Sequence, residues 1–481
     1  MRINKDDFSF NPQSEFRRSA ILKVDVEEKR NPSQPATHLT PDPVEAAEGE
    51  ARLDEGRAGA RSLALDLTPL RASREFRLLW TGQAVSFFGS MMTFVALPVQ
   101  LYALTKSSFA VGMLGVAEFV PIFLMAFVGG ALADAIDRRR MIRLTETAFA
   151  AGTALLIINS LLAEPRTWVL FFCAALFAAL NGLQRPSLDA LVARVVAAEQ
   201  MPAAMALRSL SGTVGMIAGP ALGGLLYGAL GPAANYSVDL ATFSASLAAL
   251  WMMREAPPPA GADRPSLRSV VEGLRYARSR QELLGTYLID INAMFFGMPM
   301  ALFPAMAEGF GGSSAGLLYA APAFGAMCVT LTSGWARRVN RHGLAVAIAA
   351  ACWGAAIVGF GFARALWVAL LCLALSGASD MVSALFRQII WNQTIPDHLR
   401  GRLAGIEVVS YTTGPLLGNA ESGIVAGLFG VRASVVSGGV LCVAGTALLS
   451  LLLPSFIRYD GRAGLERKRA EEEARVSSLG L

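Results

Sequence analysis

Long apolar segments recur through most of this chain, and they restrict its fold more than any other feature. Twelve of them approach or exceed the roughly 20 residues that a helix needs to cross a bilayer. We place them at 77–102, 109–133, 142–163, 167–191, 204–229, 235–253, 284–306, 315–336, 343–362, 366–391, 403–428 and 432–455. The pattern predicts an all-α membrane protein with twelve transmembrane helices.

Charge is scarce, and most of the charged residues lie outside these segments. Charged residues make up 16% of the chain, whereas about 25% is typical of soluble proteins. Arginines cluster after the second, eighth and tenth segments and in the linker at 255–283. Because basic residues are retained on the cytoplasmic side, we expect a multi-pass protein of the cytoplasmic membrane with both termini in the cytoplasm. Short clusters beside apolar segments do not indicate nucleic-acid binding.

Polar stretches divide the chain into five parts. Residues 1–70 and 456–481 have the composition of disordered cytoplasmic tails, and 255–283 combines a proline-rich linker with an amphipathic surface helix. Six segments lie in 71–254 and six in 284–455. The pair Gly219–Pro220 recurs as Gly414–Pro415, at an offset of about 195 residues. We therefore predict two six-helix halves related as a parallel pseudo-twofold repeat.

The connection after the second segment reads GGALADAIDRRRM and resembles the signature loop of the major facilitator superfamily. The matching positions are Gly130, Leu132, Asp134, Arg138 and Arg140, while Ala135 and Asp137 depart from the family pattern. The resemblance covers about residues 72–455 and is closest to the branch of enterobactin exporters and macrolide efflux pumps. It implies the fold of that family and a cytoplasmic gate, in which the loop meets the end of the fourth helix at Asp189 and Arg185. The alternative is a basic cluster that only sets orientation.

The stretch GMIAGPALGG in the fifth segment resembles a motif of facilitator exporters. Gly215, Gly219, Pro220, Gly223 and Gly224 stand at the matching positions. Small residues four apart let helices approach closely, and proline bends a helix. We therefore expect a tight, bent contact between the halves, which the resemblance associates with export. A plain packing face is the alternative.

Acidic residues within the segments are the candidates for proton coupling, because ionisable groups at depth are costly and usually functional. A proton-coupled exporter needs a carboxyl group that gains and loses a proton near neutral pH. We favour Glu118, then Asp290 and Asp380, over Asp239, Glu407 and Glu421. A structural hydrogen bond is the alternative for each. Arg387 either pairs with Asp380 or extends to the cytoplasmic surface.

A substrate cavity is expected between the halves near the midplane. Aromatic rings with scattered amides suit a large, partly apolar solute. The candidate lining residues are Gln83, Phe87, Asn181, Asn292, Phe296 and Gln388, with Trp391 as an alternative to the last.

These features predict a secondary exporter of a siderophore or drug-like molecule, driven by protons through alternating access, working as a monomer and without a cofactor. A proton-coupled uptake permease is the alternative. No Walker loop occurs, so we do not expect the chain to bind ATP in that way. A membrane enzyme is less favoured because no nucleophile motif or metal-ligand spacing occurs, and a sensor because the tails have the composition of disordered segments. Five cysteines lie in apolar segments without a CxxC pair, and three histidines lie in predicted tails or loops. We expect neither a metal site nor a disulfide framework.

Overall fold

The computed structural model describes residues 66–135, 137–254, 276, 278, 280–311, 314–395, 400–462, 464–466 and 468. Within these ranges the side chains of 126–135 and 400–412 are not described. Most of the predicted amino-terminal tail, the linker with its amphipathic helix, and the end of the carboxyl-terminal tail lie outside the described residues.

The helices follow the predicted segments closely. In chain order they are α1 (Arg74–Thr105), α2 (Ser108–Ala135), α3 (Arg138–Leu161), α4 (Thr167–Val195), α5 (Met201–Trp251), α6 (Gln281–Phe296), α7 (Phe303–Glu308), α8 (Ala315–Leu331), α9 (His342–Phe362), α10 (Leu366–Thr394), α11 (Arg400–Phe429) and α12 (Val431–Leu452). Among the described residues, nine helical stretches are long and apolar enough to cross a membrane, and α8 is a shorter apolar helix. The protein is therefore an all-helical, multi-pass membrane protein.

Two glycines turn the chain between successive apolar helices. Gly231 lies within α5 and has φ 80° and ψ −179°, while Gly430 lies between α11 and α12 with φ 91° and ψ 155°. This backbone region is essentially restricted to glycine. The predicted fifth and sixth segments are accordingly two arms of α5, 201–230 and 232–251, which meet at the bend.

The seventh predicted segment is a broken helix rather than a continuous one. After α6 the chain passes through Gly297 to Pro299 and a 3₁₀ turn at Met300–Leu302 before α7 begins. Trp353 Nε1 donates a hydrogen bond to Gly297 O at 2.8 Å, and Tyr319 Oη donates to Met300 O at 2.9 Å. Backbone groups released by a break in an apolar medium must find partners inside the protein. The Trp353 and Tyr319 side chains are two of these partners.

Glycines bring the amino-terminal helices α1–α5 against the carboxyl-terminal helices α6–α12. A Cβ atom built on Gly112 of α2 would lie 2.8 Å from Gly423 Cα of α11. One built on Gly316 of α8 would lie 2.7 Å from Gly224 Cα of α5. No side chain fits between these backbones, so α2 packs directly on α11 and α5 on α8.

Most of the Gly-Pro motif faces α1, in its own set of helices. The glycines concerned are Gly215, Gly219 and Gly223. A Cβ atom built on Gly223 would lie 2.8 Å from Met92 Cα of α1. Only Pro220 and Gly224 meet Gly316 of α8. The contact between halves that we expected from this motif therefore uses one part of it, and the remainder joins α5 to α1.

Candidate functional site

A buried ion pair joins α6 to α10. Arg387 Nη1 contacts Asp290 Oδ1, and the two side chains are 7% and 5% exposed. The same nitrogen donates to Ser383 Oγ at 3.2 Å. Arg387 was expected to pair with Asp380 or to reach the surface, and its ion-pair partner is instead Asp290. Because each charge neutralises the other inside an apolar region, this pair ties α6 to α10.

Asp380 lies two turns before Arg387 on α10 and within electrostatic reach of Arg387 and Asp290. Its Oδ1 atom is buried and has no hydrogen-bond partner among the described residues. Asp380 lines a cavity of about 40 Å³, together with Ser376 and the break that follows α6. That volume has room for a few water molecules. The cluster thus combines two acids, one guanidinium and a wettable space.

Glu118 of α2 lies within electrostatic reach of the Tyr319 hydroxyl of α8. Its side chain is partly buried. Tyr319 is the residue that supports the break between α6 and α7, through its bond to Met300 O. Glu118 is therefore an acid of the amino-terminal helices placed against the carboxyl-terminal helices.

The signature loop forms contacts with the ends of neighbouring helices. Arg138 is buried, and its Nη1 donates to Ala190 O near the end of α4 at 3.3 Å. The backbone N–H of Arg140 donates to Asp137 Oδ1 at 2.8 Å. Asp137 departs from the family pattern, and here it caps the start of α3. Gly130 lies in α2, and the side chain of Asp134 lies outside the described residues.

Asp189, the predicted acid at the end of α4, pairs with an arginine of α5 rather than with an arginine of the signature loop. Its Oδ1 lies 2.9 Å from Arg208 Nη1 of α5. Arg185, one turn earlier on α4, has an exposed side chain. Asp189 thus joins α4 to α5.

Three amides predicted to line a cavity are engaged in hydrogen bonds. Gln83 Nε2 donates to Glu146 Oε1 at 2.9 Å. Asn292 Nδ2 donates to Cys442 O of α12 at 2.9 Å, and Asn181 Nδ2 donates to the carbonyl oxygen one turn earlier on α4 at 3.0 Å. Of these, Asn181 is exposed and Gln83 and Asn292 are partly buried.

The remaining cavity candidates differ in their surroundings. Phe87 packs against Gly215 of α5, and Phe296 makes an edge contact with Phe295 at a centroid distance of 4.8 Å. Gln388 is exposed. Trp391 is buried, and its Nε1 donates to Thr286 Oγ1 at 2.8 Å.

Two residues fall outside the sequence expectations. His342, predicted in a loop, is the first residue of α9 and is buried, with its ring stacked at 5.6 Å on that of Phe386. Glu146 of α3 is 1% exposed and accepts hydrogen bonds from α1 and α4. Glu146 was not among the predicted acids because it lies only a few residues inside the predicted third segment, close to the arginines at the start of that segment. Within the described part of the chain, no three His, Cys, Asp or Glu side chains are placed to hold a metal ion.

An exposed ion pair lies at the end of the helices opposite the arginine-rich connections. Lys106 Nζ, just after α1, lies 2.6 Å from Glu308 Oε1 at the end of α7. Tyr102 Oη is 3.4 Å from Glu308 Oε2. Hydrogen bonding to Glu308 raises the pKa of Lys106. The pair links amino-terminal to carboxyl-terminal helices.

Residues 64–471 match the family described as transmembrane secretion effector. The chain belongs to this family, and with it to the major facilitator superfamily that the signature loop predicted. The match spans α1–α12 and therefore covers every helix that contributes to the site. Members and relatives are transporters, not enzymes.

Curated relatives of this chain are exporters. It is 30% identical over 396 residues to the enterobactin exporter EntS of Shigella flexneri, covering 82% of this chain and 95% of the relative. The EntS protein of Citrobacter koseri is also 30% identical, with the same coverage.

Solved transporter structures share the fold. A bacterial homologue of the human lysosomal transporter Spinster, inward-facing and unoccupied, superposes with a TM-score of 0.63 at 17% identity. That match covers 80% of this chain and 98% of the homologue. The nucleoside transporter NupG gives a TM-score of 0.62 at 13% identity and covers 80% of this chain and 100% of NupG.

Proposed function

We propose that this protein is a secondary active exporter that moves a small, partly apolar molecule, siderophore or drug-like, out across the cytoplasmic membrane in exchange for protons. The observation that carries the proposal is the similarity to enterobactin exporters over 82% of the chain. The Gly-Pro motif in α5 supports the outward direction over uptake.

The proposed topology has twelve crossings. Counting the two arms of α5 separately, and adding α8 and α11 to the nine long apolar stretches, gives that number. The halves would span 71–254 and 284–455, with the tails and the 255–283 linker in the cytoplasm. The matching turns at Gly231 and Gly430 support a parallel repeat. So does the packing of α11, where Gly414 faces Met294 of α6 as the α5 motif faces α1.

The proposed cycle is alternating access in a single copy of the chain. Lys106–Glu308, Gly112–Gly423 and Gly224–Gly316 lie at one end of the helices, opposite the arginine-rich connections. If that end faces outward, the outer side is closed in this structure, and the solute would enter from the cytoplasm. Backbone contacts between α2 and α11 and between α5 and α8 would then act as the pivots.

Three acids are the proposed proton carriers for this cycle. Asp380 has an oxygen without a hydrogen-bond partner beside a cavity with room for water, and Asp290 shares Arg387 with it. Glu118 faces the opposite set of helices at Tyr319. A group that alternates between a proton and a fixed cation is suited to coupling. We keep Asn181 and Gln388, whose side chains are exposed, as candidates for solute contact.

The experiment is proton release from sealed vesicles that contain the purified full chain. An inside-acid gradient is imposed, and a catecholate siderophore, a macrolide and a cationic dye are added in turn. We expect proton movement that depends on one solute and is lost in Glu118→Gln and Asp380→Asn. Glu199→Gln, which alters an exposed carboxylate in the turn before α5, is the matched control. Solute transport without proton movement would refute the coupling, and no transport of any of the three would count against the substrate class.

A further inference from the structure

A second group of buried acids lies apart from the site above, among α1, α3, α4 and the second arm of α5. Glu146 of α3 and Asp239 of α5 are each 1% exposed. Both lie in helices that are long and apolar enough to cross a membrane. Their surroundings therefore determine whether they carry a charge.

Glu146 is bound entirely by neutral donors among the described residues. Gln83 Nε2 of α1 and Gln184 Nε2 of α4 donate to Oε1 at 2.9 and 3.0 Å. Ser86 Oγ of α1 donates to Oε2 at 3.2 Å. Gln83 Nε2 also lies 3.2 Å from Ser246 Oγ of α5, which extends the network toward Asp239 on the same arm.

Asp239 is surrounded by three threonine hydroxyls. Thr93 Oγ1 of α1 lies 2.5 Å from Asp239 Oδ2, and Thr242 Oγ1 lies 3.4 Å from Oδ1. Thr153 of α3 is fully buried, and its hydroxyl lies beside this carboxyl group. Thr153 follows Glu146 by two helical turns on one face of α3.

Among the described residues, the hydrogen bonds to these two acids come from neutral side chains, and the nearby arginines of α3 have other partners. Along α3, Arg139 donates to the carbonyls of Leu250 and Trp251 at the end of α5, and Arg143 lies over the Trp251 ring at 4.6 Å. On α4, Arg185 is exposed. The titratable group beside Asp239 on α5 is Tyr236, whose hydroxyl donates to Gln100 at 2.8 Å.

Packing around Asp239 favours a proton over a metal cation as the neutralising partner. A Cβ atom added to Gly89 of α1 would lie 2.7 Å from Asp239 Oδ1. The Thr93 hydroxyl is already in direct hydrogen-bond contact at 2.5 Å. A sodium ion would need oxygen ligands separated around it, whereas a proton fits within an existing hydrogen bond.

We propose that Glu146 and Asp239 form a second proton-binding site, located within the amino-terminal helices and separate from Glu118 and the Asp290–Arg387–Asp380 cluster. Proton binding at this site follows from its own geometry. Its use in transport rests on the proton-coupled export proposed above. Export would then draw on this site in addition to Glu118 and the Asp290–Arg387–Asp380 cluster.

The test is infrared difference spectroscopy of the full chain in lipid, titrated from alkaline to acidic pH without any solute. We expect a carbonyl band of a protonated carboxyl group that gains intensity on acidification and weakens in both Glu146→Gln and Asp239→Asn. Glu421→Gln, at a partly buried acid on α11, is the matched control and keeps the band. Glu146→Asp retains a titrating group and shows that the loss is not a folding defect.

Two results would overturn the proposal. One is a pH-dependent band that is the same in the wild type and in both variants. The other is a band that responds to sodium at fixed pH, which would assign the site to a metal cation. Transport measurements distinguish this proposal from the proposed function. If the band is lost in the variants but the wild type exports no solute, only the proposed function is contradicted. Gradient-driven export reduced at least tenfold in Glu146→Gln, with solute exchange retained, supports the role in coupling.

Discussion

At the scale of single residues, a substitution in the buried Asp290–Arg387 pair should lower stability the most. Asp290→Asn leaves a buried guanidinium without its countercharge, and breaking one side of a buried pair costs about 3–5 kcal/mol. We expect a strongly lowered melting temperature in detergent. Removing both members of the pair in Asp290→Asn with Arg387→Gln should recover much of the loss, because no buried guanidinium is then left without its countercharge.

The control for this pair is the exposed contact between Asp189 and Arg208, whose side chains are 60% and 31% exposed. Exposed pairs contribute about 0–1 kcal/mol, so Asp189→Asn should barely change the melting temperature. A single Asp290→Asn variant as stable as Asp189→Asn would show that the buried pair does not hold α6 to α10.

At the scale of the element, the bend in α5 depends on one glycine. A residue with a side chain at Gly231 would be forced into a backbone region that costs about 1–3 kcal/mol, so Gly231→Ala should lower the melting temperature. Gly212 lies in the same helix with open space around it. Gly212→Ala should raise stability slightly, since alanine is favoured over glycine within a helix. Equal effects of the two changes would contradict the strain argument.

The packing of α2 on α11 gives a second prediction at this scale. Gly112→Leu inserts a side chain where a Cβ atom alone would lie 2.8 Å from Gly423 Cα. We expect solute exchange to fall at least tenfold, because α2 and α11 could no longer meet. Overpacking of this kind costs about 1–3 kcal/mol. Gly212→Leu is the control, and normal exchange in both variants would remove this contact from the proposed pivot.

The helices show most clearly which features of this protein the sequence predicts. Apolar length gave helix positions to within a few residues: the prediction at 343–362 is α9, His342–Phe362. Apolar length did not predict the break after α6, because Gly297 and Pro299 lie in an apolar run. Composition alone does not show which carbonyl oxygen accepts a hydrogen bond from Trp353. Partners across helices were equally hidden. Arg387 was placed near Asp380 by helical spacing, while its contact with Asp290 depends on how α6 and α10 pack.

At the scale of the whole molecule, the contact between Lys106 and Glu308 should bias the protein toward the state closed at that end. Lys106→Gln should increase the population open there, seen as a longer distance between spin labels placed near the ends of α1 and α7. Arg364→Gln changes an exposed cation before α10 and serves as the control. Unchanged distances in Lys106→Gln would assign the closure to helix packing alone.

The pH dependence of that closure follows from the same pair. Because Glu308 raises the pKa of Lys106 above its usual value, the stabilising contribution is fully present below that usual value. It is lost as the pH rises through the raised pKa. The labelled distance should therefore lengthen at strongly alkaline pH in the wild type and show no such transition in Lys106→Gln.

The buried pair between α6 and α10 also has a consequence for biosynthesis. Asp290 is made and enters the bilayer well before Arg387 leaves the ribosome, and an isolated charge at the centre of an inserting helix costs about 2.5–3.5 kcal/mol. Until α10 arrives, α6 carries an acid without its cation. Chains that stop after α9 should therefore be held back by the insertion machinery or degraded, and addition of α10 should release them.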